Sequence, residues 1–253
     1  MAMELNNTGA LLLGTKRIGE RVAMPLATEG VNLAIVYRRS RDEALRLHTA
    51  VTKLVHKTAL MQADLKEEED VKRIISEANE SLGGLRYVIN FASDYPRNPL
   101  DSLDSAAWDR AMSNAKSSYL VAVHASRQLI QNEGPSRGHI IMLGDWAAGE
   151  TPYNDYLPYL TAKAAIQFMT RGFAAELAPT GVQVNTIAPG PTMRPPEISE
   201  ENWHNDVIAK TPLNRESSPD DIAELIVTLL KSETITGEII RVDSGRHLAG
   251  SGD

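Results

Sequence analysis

In the run Tyr159-Leu160-Thr161-Ala162-Lys163 a phenol and an ammonium lie four residues apart, so one helical turn sets both on the same face. A free phenol titrates near pH ~10 and is a poor acid at neutral pH unless a fixed positive charge stabilises its phenolate. Lys163 is the candidate for that charge, and Tyr159 for a proton donor. Of the seven tyrosines only Tyr159 is followed by lysine at this spacing; Tyr153 and Tyr156 have Leu157 and Leu160 there. Alone, the pattern also fits a surface helix with an incidental neighbour, so its surroundings decide.

Two further segments carry binding chemistry. Gly14-Thr15-Lys16-Arg17-Ile18-Gly19 follows an apolar run and opens a helix-like stretch. Glycines at such a turn let the backbone approach a pyrophosphate, and the helix start offers unpaired N–H groups to its charge. The dinucleotide fingerprint has three glycines; this turn has two, with Arg17 between them, and by itself it equally describes a tight turn without a ligand. The second segment is Tyr37-Arg38-Arg39-Ser40, where an acidic residue would hold the ribose hydroxyls of NAD. Guanidinium groups instead make charge-assisted bonds to phosphate, so Arg38, with Arg39, Ser40 and Lys16 or Arg17, argues for NADP(H). The alternative is a solvated basic helix start, since Arg41 and Arg46 follow. No metal site is expected: His124, His139 and His204 lack ligand spacing and there is no cysteine.

These segments need a frame. Short apolar runs at 10–13, 31–37, 59–62, 86–90, 139–143, 182–187 and 238–242 alternate with amphipathic stretches. That alternation predicts an α/β fold with a parallel sheet and helices on both faces. Gly30 and Gly83-Gly84 punctuate helix ends, and Ser218-Pro219 opens the last helix with a cap and a first-turn proline. Pro25 falls inside the first helix, where a bend is expected. Residues 191–212, rich in proline around a short polar helix at about 200–210, read as a lid over a substrate. Residues 251–253 read as a frayed tail.

The 33 acidic residues outnumber the 26 basic ones, which disfavours a general nucleic-acid binder. The absence of cysteine excludes disulfides and thiolate chemistry and fits a reducing compartment. No apolar run approaches a membrane span, and residues 1–14 lack a basic start with a long apolar core, so a soluble, cytoplasmic chain without membrane partners is expected.

Taken in order, these residues resemble the short-chain dehydrogenase/reductase family over nearly the full chain. The match runs through the glycine turn, Asp64-Leu65, Asn90-Phe91-Ala92-Ser93, Asn114, Tyr159 with Lys163, Asn185-Thr186-Ile187-Ala188-Pro189-Gly190, Thr236-Gly237 and Val242-Asp243-Ser244-Gly245. The resemblance implies one Rossmann-type, doubly wound, NADP-binding domain over residues 1–253. In it Asp64 and Leu65 would contact the adenine, and Asn90, Ala92 and Ser93 would flank the cofactor. Pro189, Gly190 and Thr192 would border the nicotinamide. Lys163 would hold the nicotinamide ribose and lower the phenol pKa. Asn114 would keep its helix irregular and anchor a water linking the lysine to solvent. Members commonly form tetramers or dimers through two long helices, here about 105–132 and 156–177.

One departure is informative. The family serine after the fifth strand is absent from Ile140-Ile141-Met142-Leu143-Gly144-Asp145-Trp146, and Asp145 stands in its place. An ionised carboxylate has no proton with which to polarise a ketone, but it accepts a bond from N–H or shares a proton with a phenol. The chain resembles in this the pteridine and dihydromonapterin reductase branch, as it does in Lys16-Arg17-Ile18-Gly19 and in the 92–100 segment, where Tyr95 falls at the aromatic laid over the pterin. The expected activity is NADPH-dependent reduction of a pterin-like C=N bond, with Tyr159 as donor and Tyr95, Asp145 and Tyr159 contacting substrate. The alternatives are a carbonyl reductase for a 3-oxoacyl thioester, a sugar or another ketone, and a non-catalytic NADP sensor. Two mismatches stand: the segment from Asp145 to Tyr159 is one residue longer than usual, and Phe91 sits where a second asparagine is common. Asp145 could also simply cap its loop.

Overall fold

The computed structural model describes residues 4–195 and 198–249, so Pro196 within the 191–212 segment and the 251–253 tail lie outside the described residues. Seven strands form one sheet in the order β3-β2-β1-β4-β5-β6-β7, every adjacent pair parallel. They are β1 (Gly9–Leu13), β2 (Asn32–Tyr37), β3 (Thr58–Gln62), β4 (Tyr87–Asn90), β5 (Gly138–Leu143), β6 (Val182–Pro189) and β7 (Ile239–Val242). The five inner strands are buried almost throughout, as a sheet covered on both faces requires, whereas the edge strands β3 and β7 are only partly buried. In β1, Leu11 and Leu13 enter one core while Ala10 and Leu12 enter the other, the two-residue alternation of a strand.

Helices cover both faces, as the fold class requires. On one side lie α3 (Glu68–Leu82), α4 (Ser105–Leu129) and α5 (Leu157–Leu177); on the other lie α1 (Ile18–Thr28), α2 (Arg41–Val51) and α7 (Pro219–Leu230). Their ends carry the expected signals. Gly83 takes a left-handed φ of 72° after α3, and Ser218 accepts from the N–H groups of Asp220 and Asp221 at the start of α7. Such a cap contributes about 1 kcal/mol.

Pro25 lies inside α1, which continues across it as one helix of 11 residues. One expectation needs correction. The helix α4 stops at Leu129 rather than near Asn132, because the Asn132 amide turns to donate to the carbonyls of Leu85 and Arg137, at 2.9 and 2.8 Å. Helix α4 is continuous across Asn114. In the 191–212 segment the polar stretch is helical in three short pieces: α6 (Glu200–Asn202), a π turn over Trp203–Val207 and a 3-10 turn over Ile208–Lys210.

Candidate active site

The strand order reverses between β1 and β4, and in open parallel sheets the crevice beyond the carboxyl ends at such a point is where ligands bind. A cleft of about 1230 Å³ opens there, room for a dinucleotide and a second small molecule. The turn after β1 forms its floor. A Cβ at Gly14 would stand 2.5 Å from the backbone nitrogen of Ala92, and one at Gly19 would stand 1.9 Å from the carbonyl oxygen of Gly14. Gly14 is thus needed for the turn after β1 to pass the turn after β4, and Gly19 for that turn to close on itself. The missing third glycine has a cost that the sequence does not reveal: Arg17 sits at φ 58°, a conformation that favours glycine.

That turn has the chemistry of an anion site. Arg17 caps α1 only by position, with no side-chain bond to the first-turn N–H groups. The buried hydroxyl of Thr15 has no hydrogen-bond partner among the described residues. Lys16, Arg17, Ile18, Arg38 and Ser40 line the cleft, with Ala63 and Leu65 supplying apolar surface. Arg38 is held by Asp64 at 2.9 Å, which aims the guanidinium while neutralising part of its charge. These residues fit a dinucleotide with a phosphorylated ribose. Asp64 touches Arg38 and does not line the cleft, and neither do Arg39, Gly19 or Asn90. Asn90 instead shapes the wall, its Oδ1 accepting from the N–H of Ala92 at 3.1 Å. Ala92, Ser93, Pro189, Gly190 and Thr192 line the cleft.

At the far end of the cleft the Tyr159 hydroxyl donates to Asp145 Oδ2 at 2.9 Å, both side chains being buried. Asp145 Oδ1 meanwhile accepts from the N–H of Ala147 at 2.9 Å, so the residue both caps its loop and faces the phenol. Gln167 fixes the backbone beneath by donating to the Asp145 carbonyl at 2.8 Å. Burial pushes the Asp145 pKa up, opposed by the Ala147 N–H and by Tyr159. The Tyr159 pKa is raised, by burial first and then by the charge of Asp145. The Lys163 ammonium lies 5.7 Å from the centre of the Tyr159 ring and donates to the Leu143 carbonyl at 2.8 Å. Burial brings its own pKa down to about 8.

Asn114 and Lys163 lie behind Tyr159, around a narrow crevice rather than the main cleft. The Asn114 amide donates to Asp94, whose other oxygen accepts from Arg110 at 2.8 Å. The expected water anchor is thus tied to a carboxylate on the segment that carries Tyr95. Tyr95 lines the cleft, but one face is taken: it stacks on Tyr156 with ring centres 4.3 Å apart and meets Tyr159 edge-on at 4.8 Å. A flat substrate therefore has at most its free face.

Sequence reading missed Asp94, Tyr153 and Trp146. Tyr153 donates to Asp145 Oδ2 at 3.3 Å and stacks on Trp146, which carries the Arg246 guanidinium 5.0 Å from its ring. The available signal was the tyrosine-rich run at 153–159 close behind Asp145. No cluster of metal-ligating side chains occurs among the described residues, and no helix among them is long and apolar enough to cross a membrane.

Comparison with known proteins agrees with this architecture. A family model described as enoyl-(acyl carrier protein) reductase matches residues 14–247. The glucose and ribitol dehydrogenase homolog 2 of Arabidopsis thaliana is 29% identical over 92% of this chain and 82% of its own. The 3-oxoacyl-[acyl-carrier-protein] reductase FabG of Staphylococcus aureus is 28% identical over 94% of this chain and 98% of its own. Among solved structures, FolM alternative dihydrofolate reductase 1 from Brucella canis, complexed with NADP, superposes with a TM-score of 0.87 at 28% identity, covering 98% of this chain and 97% of that one. The chain belongs to the short-chain dehydrogenase/reductase family.

Proposed function

We infer that this NADP(H)-dependent short-chain dehydrogenase/reductase reduces a pterin-like C=N bond, of dihydropteridine or dihydromonapterin type. NADPH, when bound, supplies the hydride to the carbon of that bond. Tyr159 gives its proton to the nitrogen, and Asp145 accepts a hydrogen bond from an N–H of the ring. Lys163 holds the nicotinamide ribose and offsets the negative charge left on Tyr159. Arg38 and Ser40, with Lys16 and Arg17, bind the ribose phosphate, and Tyr95 offers its free face to the substrate ring. Residues 191–212 serve as the lid of a single NADP-binding domain.

One observation carries this reading: the group paired with the candidate acid is a buried carboxylate at 2.9 Å, not a hydroxyl. A carboxylate recognises N–H donors, which a heterocycle has and a simple ketone lacks. The likeness to an alternative dihydrofolate reductase supports it. The likeness to FabG favours a second reading, reduction of a 3-oxoacyl thioester or another ketone. Purified protein should oxidise NADPH with dihydrobiopterin or dihydromonapterin. Turnover confined to a ketone panel would select the second reading, and tight NADPH binding with no turnover on any of them would leave a cofactor sensor.

The proposal extends to assembly: a cytoplasmic homo-oligomer, dimer or tetramer, packed through α4 and α5. Tyr119 and Phe168, on these two helices, are 48% and 73% exposed, and Trp108 is exposed near the start of α4.

A further inference from the structure

The Asp145 carboxylate serves two phenols on one oxygen. Tyr159 donates to Oδ2 at 2.9 Å and Tyr153 donates to the same atom at 3.3 Å, while Oδ1 is occupied by the Ala147 N–H. Tyr153 precedes α5 and owes its place to its loop. That loop is fastened to the Tyr95 segment twice, by the ion pair of Arg97 with Asp155 and by the Asn98 N–H donating to the Asp155 carbonyl at 2.6 Å. Asp155 itself takes φ 68°, in the left-handed region. The Tyr153 ring is further held by stacking on Trp146, 5.9 Å between centres, and by an edge contact with Tyr156 at 5.3 Å. This is a fixed phenol, aimed at the partner of the acid.

Its consequence appears at the moment of proton transfer. Once Tyr159 has given its proton to the substrate nitrogen, a phenolate stands beside a carboxylate in a buried site, an arrangement of like charges that opposes the step. A second donor on the carboxylate spreads that charge without itself reacting, and burial makes Tyr153 more reluctant to ionise, not less. We propose that Tyr153 is a positioning residue for this proton transfer, its phenol holding Asp145 Oδ2 while Tyr159 gives up its proton. The inference rests on the reading of Tyr159 as the acid and Asp145 as an ionised acceptor. The other charged or titratable groups around Asp145 are Tyr159 and Lys163 from α5, Tyr156 from the same loop, Tyr95 and Asp94 from the segment after β4, and Arg246 across Trp146.

The test is the pH dependence of kcat/KM for Tyr153→Phe, with Tyr159→Phe and Asp145→Asn alongside. Removing a donor from a carboxylate disfavours its ionised form, so the acid limb should move to higher pH by about one unit, a ~10-fold loss at any pH on that limb. Asp145→Asn should abolish the limb. A limb that stays in place in Tyr153→Phe, with only a lower plateau, reduces Tyr153 to a packing residue and overturns the inference. Should that variant not fold, 3-fluorotyrosine at position 153, a stronger donor of nearly the same shape, should move the limb to lower pH, and an unmoved or raised limb overturns it equally. Full turnover by Tyr159→Phe would instead sink the underlying reading of the acid, an outcome separate from either.

Discussion

Asp145 and Tyr159 are fourteen residues apart in the chain, yet a carboxylate oxygen of one and the hydroxyl of the other meet at 2.9 Å in a buried pocket. The first stands two residues beyond the end of β5 and the second in the first turn of α5, so the loop between them sets the contact. This pairing selects substrates by what a carboxylate recognises. Asp145→Ser should therefore lower pterin reduction by at least ~10-fold while raising turnover of simple ketones, since a hydroxyl donates to a carbonyl oxygen and an ionised carboxylate does not. Steady-state kinetics on both substrate classes checks this; parallel loss on both would mean that the residue only caps its loop.

Cofactor preference is expected to reside in Arg38, held at the mouth of the cleft by Asp64. Arg38→Asp replaces a guanidinium with a carboxylate against the ribose phosphate and leaves two acids facing each other. NADPH affinity should fall roughly 100-fold, in line with the loss of a charge-assisted pair, while NADH changes little. Titration calorimetry with both nucleotides gives the ratio, and equal losses would contradict the assignment.

Much of this was legible from residue order. The strands announced themselves because a parallel sheet buried on both faces demands unbroken apolar runs, and Gly14, Tyr159 and Lys163 are chemistry-bearing types at fixed spacing. What was hidden depends on loop paths. The Tyr153 contact depends on the path of the loop before α5, the covered face of Tyr95 on the position of Tyr156, and the Asn114 bond on where the segment after β4 brings Asp94. Nor does the sequence show the electrostatic sign at Tyr159. Spacing puts a lysine on the same helix face, but only coordinates show the ammonium bonded to Leu143 and the carboxylate nearer to the phenol.

Acid sensitivity should have an identifiable source away from the cleft. His139 in β5 is fully buried beside Tyr87, and burial holds its pKa down to about 4 from 6.5. The folded protein therefore keeps it neutral where the unfolded chain binds a proton. Stability from this group is complete above about pH 6.5 and drains away as the pH falls toward 4, up to about 3 kcal/mol in all. His139→Leu should flatten that decline in urea melts run between these limits. An unchanged pH dependence would place the acid lability elsewhere.

Assembly is open to a direct test on the helix faces. Phe168→Glu and Tyr119→Glu put charges on exposed aromatic positions of α5 and α4 and should leave the fold intact. Light scattering is expected to show the wild-type chain as a dimer or tetramer and the double variant as a smaller species. Identical masses for both would mean that these helices do not form the interface.

The central claim is that one phenol supplies the proton for reduction by NADPH, and single-turnover oxidation of bound NADPH by dihydrobiopterin in Tyr159→Phe tests it most directly. The variant should bind NADPH as the wild type does and oxidise it at least ~100-fold more slowly, the usual contribution of a general acid. Oxidation at the wild-type rate would contradict the account.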